Sequence, residues 1–421
     1  MSLFFHIDVN SAFLSWTSVH NLEFGTGPDL RLVPAIIGGD ESTRHGIVLA
    51  KSIPAKRYNI QTAEPIVMAL RKCPDLIMAD PDFKLYSRYS KALMDHLRSF
   101  CPEIEQVSID ECYMNYTPIS HAYNSPEEAA HIIKDSVREK FGFTVNVGIS
   151  DRKVLAKMAS DFEKPDKVHT LYASEIKEKM WPLPVGDLFL CGKSSQQALH
   201  KLGIRTIGQL ATTDPTILTD NLKSMGQTLY AFANGIDDSQ INLTREREKS
   251  IGNSTTPPED VTSREDASKI LLLLADSVAS RLRRASLRTT CVCVEIKYTD
   301  FKSTSRQMTL TDSTDNSGVL HQNAMILFDK LWNGDPIRLL GLRSTKLEES
   351  SKPYQLSLFD YSTSTESNSD EQVITTGAQA QTGSAVPFSK IEKQRRLDAA
   401  LDSIRNKYGK DSVQRGSLVK R

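Results

Sequence analysis

No apolar run in this chain approaches the roughly 18 residues needed to span a bilayer. The longest tract of interest, from Ile270 to Ala275, stops at Asp276. No membrane partner is therefore expected. The start, Met1-Ser2-Leu3-Phe4-Phe5, lacks a basic region, and Asp8 interrupts its apolar stretch, so no signal peptide is expected. Cysteine is sparse: 6 residues, no CxxC, and only Cys291 and Cys293 close together. Such usage suits a reducing cytoplasm, the expected location. No two of the 9 histidines are spaced to share a zinc ion, which excludes metalloprotease-type chemistry. A net charge of one sign is also missing, with 52 Lys+Arg against 52 Asp+Glu. Any anion-binding surface must then be local.

What is present is length. The chain has 421 residues, enough for about three domains with sizeable cores. Leu3 to Val9 reads as a buried strand that carries Asp8 to the end of a sheet. Residues 28–81 hold turns and short strands, and a helix is predicted over Phe83 to Phe100. Glu105–Ile109 and Cys112–Asn115 read as short strands, with Asp110-Glu111 at the tip of a tight hairpin between them. A helix from Ser125 to Phe141, with Pro126 in its first turn, leads to a strand over Phe143–Ile149. This mixture predicts an α+β multidomain fold.

Residues 166–236 look mainly helical, and 237–249 form a polar linker. Residues 250–347 return to α+β. Thr262 or Ser263 can cap a helix from Arg264 to Ala285, which places Ile270, Leu274, Val278 and Leu282 on one face. Val292, Val294, Ile296 and Tyr298 then alternate as a strand. From 348 the composition changes. Residues 361–389 are rich in Ser, Thr, Gln, Gly and Asn and are predicted to be a disordered linker. Residues 390–421 form a basic tail with room for a short helix.

Three carboxylates stand out: Asp8, Asp110 and Glu111. If the first strand and the hairpin share a sheet, these groups repel one another unless divalent cations lie between them. Hard oxygen donors favour Mg²⁺, and two such ions can clamp the attacking and leaving oxygens of an in-line phosphoryl displacement.

Three segments together resemble the Y-family, or translesion, DNA polymerases. They are His6-Ile7-Asp8-Val9-Asn10-Ser11-Ala12-Phe13, Ser108-Ile109-Asp110-Glu111, and Val147-Gly148-Ile149-Ser150 through Lys153 to Asp161. The resemblance covers about residues 3–347. It implies a right-hand polymerase: a palm over 1–165 with fingers inserted at about 14–78, a thumb over 166–236 and a little finger over 250–347. It implies primer-template DNA and dNTP as substrates, two Mg²⁺ ions and a monomer. Asp8, Asp110 and Glu111 match the metal-binding carboxylates, and the Val9 carbonyl a further metal ligand. Phe13 matches the steric gate that excludes a 2′-hydroxyl. Lys157 matches the lysine that meets the triphosphate, and Ile47 the roof over the nascent base pair.

Some positions depart from the family pattern. Many members carry a Tyr and an Arg on the triphosphate, where this chain has Ile53 and Lys56. Ile53 cannot donate a hydrogen bond, and Lys56 lacks the bidentate fork. Lys51, Arg57 and Tyr58 are the neighbours able to compensate. Asn10, Ser11 and Ala12 replace the Asp-Cys-Phe of many members.

Leu190-Cys191-Gly192-Lys193 with Gly203-Ile204-Arg205 resembles a helix–hairpin–helix, whose turn amides hold a DNA phosphate. The family usually has Gly at the position of Leu190. Arg281, Arg284 and Arg288, at near-helical spacing, are candidate phosphate contacts. Gln355-Leu356-Ser357-Leu358-Phe359 resembles the sliding-clamp peptide, with Leu358 and Phe359 suited to an apolar pocket. Two other readings compete: a non-catalytic DNA-binding protein on the same scaffold, and a cyclase suggested by Gly38-Gly39-Asp40-Glu41.

Overall fold

The computed structural model describes residues 2–39, 46–244, 247–350, 390–409 and 412–413. The clamp-like peptide 355–359 and the segment 361–389 lie outside them. The chain divides into two units, Met1–Arg245 and Glu246–Arg421.

Unit 1 opens with β1 (Phe4–Val9) and α1 (Ala12–Phe24). There follow β2 (Ala35–Gly38), β3 (Val48–Lys51), α2 (Ile53–Lys56), α3 (Ile66–Lys72) and β4 (Ile77–Ala79). Next come α4 (Phe83–Phe100), β5 (Ile104–Gln106), β6 (Glu111–Asn115), α5 (Pro126–Phe141), β7 (Val145–Ser150), α6 (Lys153–Ser160) and β8 (Val168–Thr170). The main sheet has the order β5-β6-β1-β7-β8, so β1 is central, antiparallel to β6 and to β7.

Strand alternation decides which side chain goes where. Phe5, Ile7 and Val9 enter a core with Leu93, Met94 and Leu97 of α4 and Ile133 and Val137 of α5. His6 and Asp8 take the opposite face. That face is covered at one end by α6, which can approach because Gly148 has no side chain. A Cβ there would lie 2.0 Å from the Ala156 carbonyl oxygen.

The order β3-β2-β4 makes a second, small sheet. It has its own core, including Ile36, Val48, Ile60 and Ile66. Gly38 of the GGDE motif ends β2, and Asp40 and Glu41 lie outside the described residues. The remainder of unit 1 is helical: α7 (Lys193–Lys201), α8 (Ile207–Thr212), α9 (Pro215–Leu222) and α10 (Ser224–Ala233). These pack on Leu199, Ile207, Leu210, Leu218 and Leu229. Residues 237–244, part of the polar linker expected over 237–249, make hydrogen bonds within unit 1. Asp237 accepts the Val154 N–H at the start of α6 (2.9 Å), and Asn242 N–H donates to Glu105 (2.7 Å). The Asp237 carboxylate satisfies a donor that a helix start leaves open.

Unit 2 contains β9 (Ser250–Thr255), α11 (Arg264–Arg284), β10 (Leu287–Tyr298), β11 (Ser303–Thr314), α12 (Ser317–Leu331), β12 (Ile337–Glu349) and α13 (Lys390–Tyr408). The sheet order is β11-β10-β12-β9. One sheet face, with Val292, Val294, Ile296, Leu340 and Leu342, shares a core with α11 and α12. Part of the expected basic tail is therefore a docked helix. Buried Asp398 accepts from Asn316 Nδ2 (3.2 Å), and Arg283 pairs with Asp402 (2.7 Å). Among the described residues no helix is long and apolar enough to cross a membrane.

Candidate active site

The β1–β6 register makes Asp8 and Glu111 cross-strand partners. The Val9 N–H donates to the Asp110 carbonyl at 3.0 Å. Residues a hundred positions apart are thereby neighbours at one end of the sheet. Glu111 is the first residue of β6, and Asp110 lies in the turn before it, where Ser108 Oγ donates to its carboxylate (2.6 Å).

The three acids are treated differently by their surroundings. Glu111 is held down at about 2, first by its hydrogen bond with His6 and then, against burial, by Lys157. His6 Nε2 is 3.3 Å and Lys157 Nζ 2.8 Å from the same Glu111 oxygen. Burial lowers the pKa of His6. Its Nδ1 lies 2.8 Å from Ser160 Oγ, whose hydroxyl donates to the Lys157 carbonyl (2.8 Å). Asp110 moves the other way: burial raises its pKa, and the charges of Asp8 and Glu111 add to that. Asp8 accepts from Lys164, which also reaches Asp161 at 2.9 Å. The ammonium groups of Lys157 and Lys164 are held above the usual lysine value. Burial opposes this, but Asp8 together with Glu111 for the one, and with Asp161 for the other, outweighs it.

Carboxylate oxygens are the hard donors that a divalent cation takes. The charges of Asp8 and Glu111 reach Asp110, and two ammonium groups lie on Asp8 and Glu111 as counter-ions. Among the described residues no three His, Cys, Asp or Glu side chains form a ready metal cage. Glu111 and Asp8 are instead paired with lysines.

Beside Asp8 opens a cleft of about 130 Å³ lined by Asn10, Ser11, Arg31, Ile53, Lys56 and Lys164, among others. Lys56 and Ile53 thus share one cavity, and Ile47 is exposed on the same small lobe. The Lys51 ammonium donates to the Ile60 carbonyl (2.5 Å). Phe13, on the first turn of α1, stacks on Tyr86 at 4.4 Å and 9°. Tyr86 is in turn bound through its hydroxyl to Thr17 (3.1 Å).

Away from the carboxylates, Gly192 caps α7, Lys193 is its first residue, and Gly203 follows it with φ +80°. Leu190 has φ +67°, a left-handed conformation that costs a branched side chain energy and explains the glycine usual there. The three arginines do not share one helix. α11 ends at Arg284, Ser286 turns the chain with φ +55°, and Arg288 stands on β10. Arg281 donates to the Gly252 carbonyl (2.7 Å), and Arg284 to Asn406 (3.2 Å).

Lys164, Arg31 and the pairing role of His6 were not legible in the sequence. The only signal for Lys164 is a cation shortly after Asp161 at a helix end. Nothing linear points to Asp8, 156 positions away.

Residues 7–161 match the model of the impB/mucB/samB family, and residues 248–358 match that family's C-terminal domain. The chain is 43% identical to DNA polymerase IV of Clostridium acetobutylicum over 417 residues, covering 99% of this chain and 98% of that one. It is 33% identical to DNA polymerase IV of Acetivibrio thermocellus, covering 98% and 96%. It is also 32% identical to DNA polymerase IV 1 of Bacillus subtilis, covering 100% and 94%. A solved Y-family DNA polymerase chimera superposes with TM-score 0.70 at 18% identity, covering 82% of this chain and 99% of that one, which is a likeness of fold.

Proposed function

Since this chain belongs to the impB/mucB/samB family, the Y-family polymerases, and is a DNA-directed DNA polymerase of the translesion type, we propose that Asp8, Asp110 and Glu111 are its catalytic carboxylates and that Mg²⁺ is its divalent metal. The observation that supports this is the β1–β6 register, which sets Asp8 against Glu111 with Asp110 one residue away. Primer-template DNA and dNTP are the substrates, and the enzyme depends on divalent metal. The competing accessory-protein and cyclase readings give way to the family assignment.

The primer 3′-hydroxyl attacks the α-phosphate. A P–O bond forms there, the bond to the β-phosphate breaks, pyrophosphate leaves and the hydroxyl proton is released. Asp8, Asp110, Glu111 and the Val9 carbonyl are the oxygens that would hold two metal ions. When bound, those ions lower the pKa of the attacking hydroxyl and neutralise charge on the leaving oxygen. Lys157, beside Glu111, and Lys56 and Lys164, in the cleft, supply positive charge where the triphosphate gains negative charge. Arg31 is committed elsewhere: its guanidinium forks onto Asp29 and donates to the Gly142 carbonyl. Template and primer phosphates are gripped by the turn amides at Gly192 and Gly203 with Lys193, and by Arg281 and Arg284. The protein works as a monomer, tethered to a sliding clamp by Gln355–Phe359, which raises its effective concentration at the primer.

Primer extension in Mg²⁺ tests this reading. The wild-type chain extends a primed template, and Asp8→Ala does not. A clamp stimulates wild type but not a variant with Leu358 and Phe359 changed to Ala. Asp8→Ala extension at the wild-type rate would sink the catalytic assignment, and undiminished stimulation of the peptide variant would sink the clamp contact.

Phe13 gives a second prediction. Its ring is backed flat against Tyr86 and cannot recede, so a sugar that meets it finds a fixed wall. Phe13→Val should raise ribonucleotide insertion relative to deoxynucleotide insertion by about a hundredfold, the upper range for removing a steric block in a packed site. An unchanged ratio in single-nucleotide kinetics removes the gate from Phe13.

A further inference from the structure

Two buried amides near Asp8 in sequence or strand register bond to the loop that carries Lys164. Asn146 on β7 is fully buried, and Asn10 nearly so. Asn10 Nδ2 donates to Asn146 Oδ1 (3.1 Å). Asn146 Nδ2 donates to the carbonyls of Ser160 (3.0 Å) and Glu163 (2.7 Å), and its Oδ1 accepts the Lys167 N–H (3.2 Å). Asn10 Oδ1 accepts the Asp166 N–H (2.9 Å) and the Thr144 hydroxyl (2.9 Å). Four backbone groups of residues 160–167 are thus held by two side chains, one on β7 and one just after β1. The Asp166 carboxylate is held separately, by Lys134 (2.9 Å) and Arg138 (2.8 Å) of α5. Lys164 lies between the Glu163 and Asp166 anchors, and its ammonium rests on Asp8 at the edge of the cleft.

Burying two amides costs free energy that an apolar pair would not. The return is orientation. Fully satisfied polar groups specify one geometry, where apolar packing would tolerate sliding. Asp8 and Asn146 are cross-strand neighbours, so the strand that presents the carboxylate is paired with the strand that anchors the loop.

We propose that Asn10 and Asn146 are positioning residues that fix the 161–167 loop so that Lys164 meets the incoming triphosphate. This rests on the reading of the cleft as the nucleotide site. Asn146, fully buried, acts through Lys164, and Asn10, which also lines the cleft, holds the Asp166 end of the loop. Loosening the loop leaves the carboxylates in place, so it weakens nucleotide binding more than the chemical step.

The test is a double-mutant cycle on the full chain, read by single-nucleotide insertion kinetics. Asn146→Ala should raise the dNTP KM about tenfold with kcat changed less than about threefold, the size of one lost charge-assisted contact. Lys164→Ala should do the same. The double variant should be no worse than Lys164→Ala alone, because the amide has nothing left to position. Thr144→Val, which removes only the hydroxyl on Asn10, should move KM in the same direction by about twofold and guards against failure of Asn146→Ala to fold. In metal-free protein, amide exchange at Asp166 and Lys167 should quicken in Asn146→Ala while α4 stays protected. KM effects that multiply in the double variant, or unchanged exchange at the loop, would overturn the proposal. A raised KM in Lys164→Ala with an unmoved one in Asn146→Ala would remove the positioning role alone. A wild-type KM in Lys164→Ala would remove the nucleotide-cleft reading with it.

Discussion

Asp110→Asn is expected to fold, to melt slightly higher than wild type in metal-free buffer at pH 7, and to add nucleotides at under about a thousandth of the wild-type rate. The loss follows from taking one charged oxygen donor from a site whose catalysis is electrostatic. A thousandfold corresponds to about 4 kcal/mol of transition-state stabilisation. The gain in stability follows from the sign of the shift. Burial, then the charges of Asp8 and Glu111, raise the pKa of Asp110 in the folded state. Between the unfolded and folded values the native state binds more protons. Stability is therefore lost as pH rises through that window and stays lost above it. A neutral amide removes the penalty.

Glu111 has the opposite sign. Its pKa is depressed to about 2 by His6 first and Lys157 next. Its contribution is present above the unfolded value and lost as pH falls toward 2. Primer extension and thermal melts with a chelator separate the two acids. Extension by Asp110→Asn within tenfold of wild type would end its assignment as a catalytic carboxylate.

Gly148→Ala carries the largest expected effect on the fold. The new Cβ would lie 2.0 Å from the Ala156 carbonyl oxygen and 2.5 Å from the Ser160 nitrogen. Both are backbone atoms of α6, so no flexible side chain can swing aside. The helix must lift from β7. Overpacking of this kind typically costs about 1–3 kcal/mol, and contact with backbone places this site at or above the top of that range. Ser160, which touches His6, and Lys157, which touches Glu111, ride on α6. Activity should therefore fall with stability. Denaturant unfolding that gives the same midpoint for Gly148→Ala and wild type would refute the close approach of strand and helix.

Much of this was legible before any coordinates. The β1 strand, the helices over Phe83–Phe100 and Pro126–Phe141, and the long helix from Arg264 were readable from periodicity and caps, because those signals are local. Asp8, Asp110 and Glu111 were readable as a set because three short segments carry them in a recognisable order. The spacing of Arg281, Arg284 and Arg288 does not show that Ser286, in a left-handed turn, separates the end of the helix from the strand that carries Arg288.

By itself the sequence determined the family, the α+β class and the three carboxylates that we propose as catalytic. Hydrophobic period and motif order are properties of neighbouring residues, and a chain states them directly. Only the tertiary structure decided which cations rest on those acids, how two buried amides hold the Lys164 loop, and that part of the basic tail docks as a helix. Those contacts join residues far apart along the chain. Strand register and helix packing choose among the many lysines and asparagines that the sequence alone leaves equivalent.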